Sequence, residues 1–224
     1  MQWRDRHASR IAEVETVVFD WDGTIADSIS TIVRCMQAAA ADCSLPVPGI
    51  DSVKAIIGLG LREAVVELFS EQSAATVDAV VESYRDFYLS PENREVVLFE
   101  GVRDLLELLT ERGYLITVAT GKSRRGLDRA LAETGLHDFF VATRTVDECF
   151  SKPHPQMLNE LADFTGVSAE RMLMVGDGVM DIQMAVAAGA LALGVATGAA
   201  DECELVASGA AGCLASVRDL SALL

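Results

Sequence analysis

Short apolar runs recur along the chain, and each one ends in polar or glycine-rich residues. A continuous run of this kind indicates a strand that is buried on both faces, as in a parallel sheet covered by helices. Five runs predict strands, at Val14 to Phe19, Tyr114 to Ala119, Phe139 to Thr143, Arg171 to Val175 and Leu191 to Ala196. Most intervals between them show apolar residues at helical spacing. This alternation predicts an α/β fold with a doubly wound parallel sheet, which binds ligands beyond the carboxyl ends of its strands.

The interval between the first two predicted strands is much longer than the others. It runs for about ninety residues, from Asp22 to Tyr114, whereas a whole strand–helix–strand unit takes about thirty. Apolar residues recur there at helical spacing, at Ile29, Ile32, Val33 and Met36, at Leu61, Val65, Val66 and Leu68, and at Val77, Val80, Val81, Tyr84 and Phe87. We therefore expect a core domain of residues 1–27 and 98–224 and a small α-helical cap domain of residues 28–97.

The amino-acid composition limits the kinds of molecule that the chain is expected to bind. The 224 residues are 50% apolar and 23% charged, which is typical of one large domain or a domain with an insert. Eighteen Lys and Arg residues stand against thirty-four Asp and Glu residues, so the formal net charge is −16. Because this charge repels polyphosphate backbones, nucleic acid is excluded as an expected partner.

The chain carries no sequence signal for export or for a membrane. Its first ten residues hold three arginines and no apolar core, and its five scattered cysteines show no zinc spacing. The nineteen uncharged residues from Ile182 to Ala200 are rich in alanine and interrupted by glycines, which predicts a helix, a glycine turn and a buried strand. We expect a cytoplasmic protein with reduced thiols, without membrane association, as a monomer or weak dimer.

Two acidic residues follow the first predicted strand. Asp20 and Asp22 lie on the same side of an extended chain, and Gly23 allows the backbone to turn after them. One carboxylate at such a place can bind a metal and attack an electrophile, while the other exchanges protons with the leaving group and water. The alternative is a pair of acidic residues that cap the next helix.

A second acidic pair, Asp177 and Asp181, follows the strand at Arg171 to Val175. Carboxylates at a parallel strand end suit an oxygen-rich site for Mg²⁺, which often serves phosphate chemistry. No two-histidine or cysteine-rich set competes for zinc or iron. Alternatively, Asp177 caps the helix from Val179 to Ala188, and Asp181 lies in the first turn of that helix, where the helix dipole favours a negative charge. Both interpretations are compatible with each other.

Two further segments suit an anionic substrate. Thr120 offers a hydroxyl and Gly121 an unobstructed amide at the end of the second strand, just before a predicted helix. Lys152 lies in SKPHP, where Pro153 and Pro155 restrict the chain and favour one direction for its ammonium group. Taken singly, these features are weak, because many helices begin this way and a loop lysine is usually solvated.

The order of these residues is more specific than any one of them. They lie in FDWDGTIADS, ATGK, SKPHP and GDGVMD, each at or just after a predicted strand end or on the following helix. In this order they resemble the motifs of the haloacid dehalogenase superfamily, and the insert resembles the helical cap of its phosphoglycolate phosphatase-like branch. The resemblance spans about Val14 to Ser216. It implies a Rossmann-like core that carries an inserted helical cap.

The resemblance also implies roles for residues. Asp20 is similar to the nucleophile that takes the phosphoryl group as an aspartyl phosphate. Asp22 is similar to the acid that protonates the leaving oxygen and later serves as base for water. Thr120 and the Gly121 amide would bind phosphoryl oxygens, and Lys152 would offset charge on the nucleophile and the phosphate.

The implied metal site holds Mg²⁺. By resemblance, the side chains of Asp20 and Asp177 and the backbone carbonyl of Asp22 would be its protein ligands. Asp181 would hold a water of the metal. A cation is needed in any case, because an anionic nucleophile approaches an anionic ester in a chain of net charge −16.

Four positions refine the resemblance. Trp21 stands where the family often has leucine, and Gly178 stands where serine or threonine often follows the motif aspartate. Asp22 argues against a haloacid dehalogenase proper, since that branch lacks the second aspartate. Thr24 resembles the phosphatases more than the sugar phosphomutases, which often carry valine there.

The segment from Ile56 to Val65 resembles the cap loop that this branch turns toward the active site. Arg62 is therefore a candidate contact for an acid or second phosphate on the leaving group. The alternative is that Arg62 is an exposed residue at the start of a helix.

Together these features predict a Mg²⁺-dependent phosphatase that acts on a small phosphorylated metabolite, with phosphoglycolate as the default substrate. One alternative is a sugar phosphomutase of β-phosphoglucomutase type, which needs a bisphosphate and releases no inorganic phosphate. Another is a binding or regulatory protein that keeps the fold without turnover. The intact set of Asp20, Asp22, Lys152 and Asp177 argues against a silent protein.

Overall fold

A six-stranded parallel sheet forms the centre of the computed structural model, which describes residues 2–93 and 95–224. The strands are β1 (Thr16–Phe19), β2 (Leu115–Thr120), β3 (Ala142–Thr145), β4 (Met172–Gly176), β5 (Leu191–Val195) and β6 (Gly212–Leu214). Their spatial order is β3-β2-β1-β4-β5-β6. The chain therefore builds outward from β1 on one side and then crosses to the other side at β4. This arrangement confirms the predicted doubly wound α/β fold.

Helices cover both faces of the sheet. They are α1 (Gln2–Ala12), α6 (Val102–Glu111), α7 (Arg124–Thr134), α8 (Gln156–Thr165), α9 (Val179–Ala188) and α10 (Glu202–Ala207). Side chains alternate across β1, so Val17 and Phe19 enter one apolar cluster with α6 and α7, whereas Val18 enters another with α8 and α9. Burial of alternate residues on opposite faces explains why the strands read as unbroken apolar runs.

Four helices of the described residues precede α6 in the interval between β1 and β2. They are α2 (Ile29–Asp42), α3 (Ile50–Ala55), α4 (Leu61–Leu68) and α5 (Ala74–Tyr88). Their buried residues, among them Met36, Val65 and Val80, form an apolar cluster separate from the two clusters that cover the sheet. Helices are therefore present where the long interval predicts them. The boundaries of a cap domain at 28 and 97 stay a prediction.

Two strands differ from the sequence predictions. The third strand begins at Ala142, because His137–Phe139 form a 3₁₀ turn that precedes it. Strand β6 spans three residues and contains no long apolar run. Its Gly212 lies against the N-terminal helix, since a Cβ at this position would overlap the ring of Trp3. The N-terminal helix has few apolar residues, so the periodicity of the sequence does not predict that it packs closely on β6.

The uncharged segment from Ile182 to Ala200 forms the end of α9, a turn at Gly189 and strand β5, as predicted. Within residues 2–93 and 95–224, no helix has the length and apolar content needed to span a bilayer.

Candidate active site

The carboxyl ends of three neighbouring strands bring the predicted site residues together. Phe19 at the end of β1 is in register with Val118 of β2 and with Val175 of β4. The residues that come after these strands therefore meet at one edge of the sheet. Asp20 and Asp177 occupy this edge, and both side chains are buried.

Three carboxylates form a cluster there. One oxygen atom of each of Asp20, Asp177 and Asp181 lies within 4.8 Å of the other two. Burial, together with repulsion from Asp181 and Asp177, raises the pKa of Asp20 well above its usual range, although Lys152 opposes this shift. Burial and the Asp181 carboxylate raise the pKa of Asp177 to about 7. The raised pKa values of Asp20 and Asp177 indicate that the carboxylates of the cluster carry more negative charge than nearby cations compensate.

Lys152 supplies the ammonium group of this cluster. Its Nζ donates to Asp20 Oδ1 and to Asp181 Oδ1, each over 2.6 Å, and its side chain is fully buried. Burial opposes the charge, but the carboxylates of Asp181 and Asp20 outweigh it and raise the pKa of Lys152 above its ordinary value. Lys152 is therefore a fixed cation beside the predicted nucleophile.

Asp181 is held by its own helix as well. Its Oδ2 accepts a hydrogen bond of 3.1 Å from the backbone N–H of Gly178, which precedes α9. The helix-capping role and the cluster role of Asp181 are therefore present together, as the sequence interpretation allows.

The loop after β5 holds Asp177, and sequence reasoning missed this contact. Asp177 Oδ2 accepts a hydrogen bond of 2.8 Å from the backbone N–H of Ala199, and Oδ1 accepts one of 2.9 Å from the hydroxyl of Thr24. A Cβ at Gly23 or at Gly198 would overlap the Asp177 carboxylate. Backbone N–H donors carry no sequence signature, and only the two glycines hint at the close approach.

The side chain of Asp22 contacts a different set of residues. Its Oδ1 accepts from Ser28 Oγ over 2.6 Å and lies 3.0 Å from the Nζ of Lys122. The same Nζ donates to the hydroxyl of Tyr88, the last residue of α5, over 3.1 Å. Sequence reasoning did not assign Lys122 or Tyr88, because an ion pair between two distant segments has no local pattern.

Thr120 and Gly121 directly precede Lys122 and lie beside the partners of Asp22. The buried Thr120 Oγ1 accepts from the backbone N–H of Lys122 over 3.2 Å, so its own hydroxyl hydrogen stays available to a ligand. A Cβ at Gly121 would overlap the backbone of Gly58 and Leu59, between α3 and α4. Gly121 therefore permits close contact between this segment and the end of β2.

The segment after α3 covers the edge of the sheet. The Gly60 N–H donates to Ser151 Oγ over 3.2 Å, and a Cβ at Gly58 would lie within 4 Å of the side chains of Lys152 and Met180. A cavity of about 1120 Å³ extends between this edge and helices α2, α4 and α5, and Asp20 and Asp22 line it. This volume is large enough for a small metabolite.

Arg62 does not join the carboxylate cluster. Its guanidinium group pairs with Asp78 of α5, and both side chains are more than half exposed. Arg62 also lines the cavity, at the start of α4. Arg62 is therefore an exposed residue at the start of a helix and also lines the cavity, as the two interpretations from the sequence describe.

The donor set fits a divalent cation. Asp20, Asp177 and Asp181 offer only oxygen ligands, which Mg²⁺ prefers, and a divalent ion would offset the carboxylate charge that Lys152 leaves uncompensated. The Asp22 side chain lies outside this cluster, so Asp22 fits the predicted metal site through its backbone carbonyl only.

Comparison with known proteins identifies the family. The model of haloacid dehalogenase-like hydrolases matches residues 17–195. The chain is 34% identical over 191 residues to the protein named probable phosphatase IndB of Dickeya dadantii, covering 81% of each chain. It is 30% identical to the phosphoglycolate phosphatase of Aliivibrio fischeri, covering 79% of this chain and 82% of the relative. It is also 30% identical to the pyrophosphatase PpaX of Bacillus pumilus, covering 82% and 83%.

A crystal structure of a hydrolase from Pseudomonas syringae has the same fold, with a TM-score of 0.83 at 22% identity, covering 92% of this chain and 95% of that one. The chain belongs to the haloacid dehalogenase-like hydrolase family. The matches confirm the predicted family and the predicted class of enzyme, a phosphatase-type hydrolase.

The contact between Gly198 and Asp177 gives a first prediction. Gly198→Ala places a methyl group where the Asp177 carboxylate lies, so we expect a fall of about 10- to 100-fold in kcat/KM for 4-nitrophenyl phosphate. Gly49→Ala is the matched control, because a Cβ there meets only Ser52 Oγ at 3.8 Å. Steady-state assays and thermal unfolding measure both variants. Wild-type activity in Gly198→Ala contradicts the positioning of Asp177 by this loop.

Proposed function

We propose that the chain is a Mg²⁺-dependent phosphomonoesterase that works through an aspartyl phosphate on Asp20. The observation that carries this proposal is the buried Lys152 ammonium group, which contacts both Asp20 and Asp181 at 2.6 Å. An ammonium group at this distance favours the ionised form of Asp20 against the effect of burial, and a bound divalent cation would favour it further, as attack on an anionic phosphate requires.

In the first step an oxygen of Asp20 attacks phosphorus. Oδ1 of Asp20 accepts a hydrogen bond from Lys152, so we assign the attack to Oδ2. The bond between phosphorus and the leaving oxygen breaks, and Asp22 gives its proton to that oxygen. Asp22 suits this role because its side chain lies at the cavity and outside the three-carboxylate cluster.

In the second step Asp22, now ionised, takes a proton from water as that water attacks the aspartyl phosphate. The bond between phosphorus and Asp20 breaks, and inorganic phosphate leaves with Asp20 restored. Thr120 and the Gly121 amide would bind the phosphoryl oxygens in both steps, with Lys152 beside them.

Asp20, Asp177 and the carbonyl of Asp22 would hold Mg²⁺, which supplies positive charge to the phosphoryl oxygens when bound. Asp181 would act from outside this ligand set, since its two oxygens already accept from Lys152 and from the N–H of Gly178.

The substrate class is a small phosphorylated metabolite. Support comes from the size of the cavity and from helices α2–α5, which we propose act as a cap that excludes bulk water. One relative is named for phosphoglycolate and another for pyrophosphate, so phosphoglycolate stays the first substrate to test. The cytoplasmic location and the monomer or weak dimer stay predictions.

Asp20→Asn tests the nucleophile. We expect a loss of at least about 10³-fold in phosphate release from 4-nitrophenyl phosphate, because the amide cannot attack phosphorus. Asp163→Asn, at an exposed position on α8, is the matched control with unchanged activity. Acid-quenched Asp22→Asn enzyme, after mixing with substrate, should carry one phosphoryl group on the peptide that contains Asp20. Full activity in Asp20→Asn excludes the mechanism.

Removal of metal tests the cofactor. We expect EDTA to abolish phosphate release and added Mg²⁺ to restore it, because the buried carboxylates need a cation to receive an anionic substrate. Asp177→Asn should raise the Mg²⁺ concentration for half-maximal activity about 10- to 100-fold. Release that is insensitive to EDTA shows that the reaction needs no divalent metal.

Product analysis separates a phosphatase from a phosphomutase. We expect ³¹P NMR to show inorganic phosphate from phosphoglycolate or other small phosphate esters. β-Glucose 1-phosphate with its bisphosphate should yield no isomerised sugar phosphate, since Thr24 resembles the phosphatases more than the sugar phosphomutases. Isomerisation without phosphate release would instead establish the phosphomutase alternative. Absence of both reactions across a metabolite panel would favour the silent binding protein.

A further inference from the structure

Lys122 makes contacts that the proposed mechanism does not use. Its Nζ lies 3.0 Å from Asp22 Oδ1 and donates to the Tyr88 hydroxyl over 3.1 Å. The same Nζ stands 5.1 Å from the centroid of the Tyr88 ring, within the range of a cation–π contact. Lys122 follows β2 in the core, whereas Tyr88 ends α5, so one ammonium group joins two separate parts of the chain to Asp22.

The contacts on Asp22 are asymmetric. Ser28 Oγ and Lys122 Nζ both reach Oδ1. Two donors on one oxygen restrict the rotation of the carboxyl group, and Asp22 lines the cavity, so we assign Oδ2 to the leaving group.

Stability alone is a weak explanation for this ion pair. The side chains of Lys122 and Asp22 are only 11% and 12% exposed, so their removal from water offsets much of their mutual attraction. The pair instead restricts the orientation of two groups that would otherwise rotate freely.

We propose that Lys122, held by Tyr88, is a positioning residue that orients Asp22 for proton transfer to the leaving oxygen. This inference rests on the proposed function, because it assigns Lys122 to the acid of that reaction. In the step concerned, the bond between phosphorus and the leaving oxygen breaks and the Asp22 proton passes to that oxygen. Lys122 itself gains and loses no proton.

Two aryl phosphates whose aryl groups carry no charge measure the role directly. 4-Nitrophenol leaves as a stable anion and needs little help from an acid, whereas the leaving group of phenyl phosphate depends strongly on protonation. Neither leaving group carries a charge of its own before cleavage, so loss of an anion-binding contact at Lys122 does not separate the two substrates.

Lys122→Met removes the charge and keeps most of the apolar stem. We expect kcat/KM to fall about 10- to 100-fold for phenyl phosphate and less than about 3-fold for 4-nitrophenyl phosphate. Tyr88→Phe keeps the ring and loses the hydroxyl, so its effect should have the same direction and be smaller. The ratio between substrates, measured on one preparation, does not depend on the fraction of folded enzyme.

Matched controls and a double-mutant cycle complete the test. Lys54→Met and Tyr114→Phe remove the same groups from positions outside the site and should leave the ratio unchanged. In an Asp22→Asn background, Lys122→Met should add no further preference for 4-nitrophenyl phosphate, since the oriented acid is already missing.

Three outcomes overturn the inference: an equal loss on both esters, a rise in KM alone, or additive effects with Asp22→Asn. Failure of the proposed function has a different signature. If wild-type enzyme cleaves neither ester, or Asp20→Asn cleaves both at the wild-type rate, the phosphatase mechanism fails and the role of Lys122 fails with it.

Discussion

The contact of the Lys152 ammonium group with Asp20 and Asp181 is the interaction on which the rest of the site depends. Three carboxylates that are almost excluded from water repel one another, and burial of charge opposes folding unless it is compensated. Lys152 lies within 2.6 Å of two of them and is itself fully buried. Burial already raises the pKa of Asp20, and removal of this cation would favour the protonated carboxyl group, which is not nucleophilic, still further.

The sheet makes this contact possible, and for that reason much of the fold and site was predictable. Unbroken apolar runs identify buried parallel strands, and parallel strands bring the residues beyond their carboxyl ends to one edge. Asp20 and Asp177 meet because Phe19 is in register with Val175, a consequence of strand order rather than of any local feature. The sequence order of polar residues after apolar runs was therefore sufficient to predict the carboxylate cluster.

Other contacts were not predictable for a physical reason. The N–H of Ala199 that holds Asp177 is a backbone group, and every residue except proline has one. The pairing of Lys122 with Tyr88 joins segments 34 positions apart, and its geometry depends on how α5 packs against the end of β2. Pattern analysis reports periodicity along one segment, whereas these contacts depend on the packing of two. Strand β6 was missed because three residues carry no period.

Local charge decides which anions this acidic chain can bind. At 2.6 Å and an effective dielectric constant of about 20, an ammonium–carboxylate attraction is about 6 kcal/mol before desolvation is subtracted. Exposed charges more than about 8 Å away are largely screened at physiological salt, so most of the net −16 acts weakly at the cluster. The same surface charge repels long polyanions, which present many phosphates to it at once. A small phosphate ester in the cavity would escape much of this repulsion, so the charge distribution favours the small substrates of the proposed function over polymers.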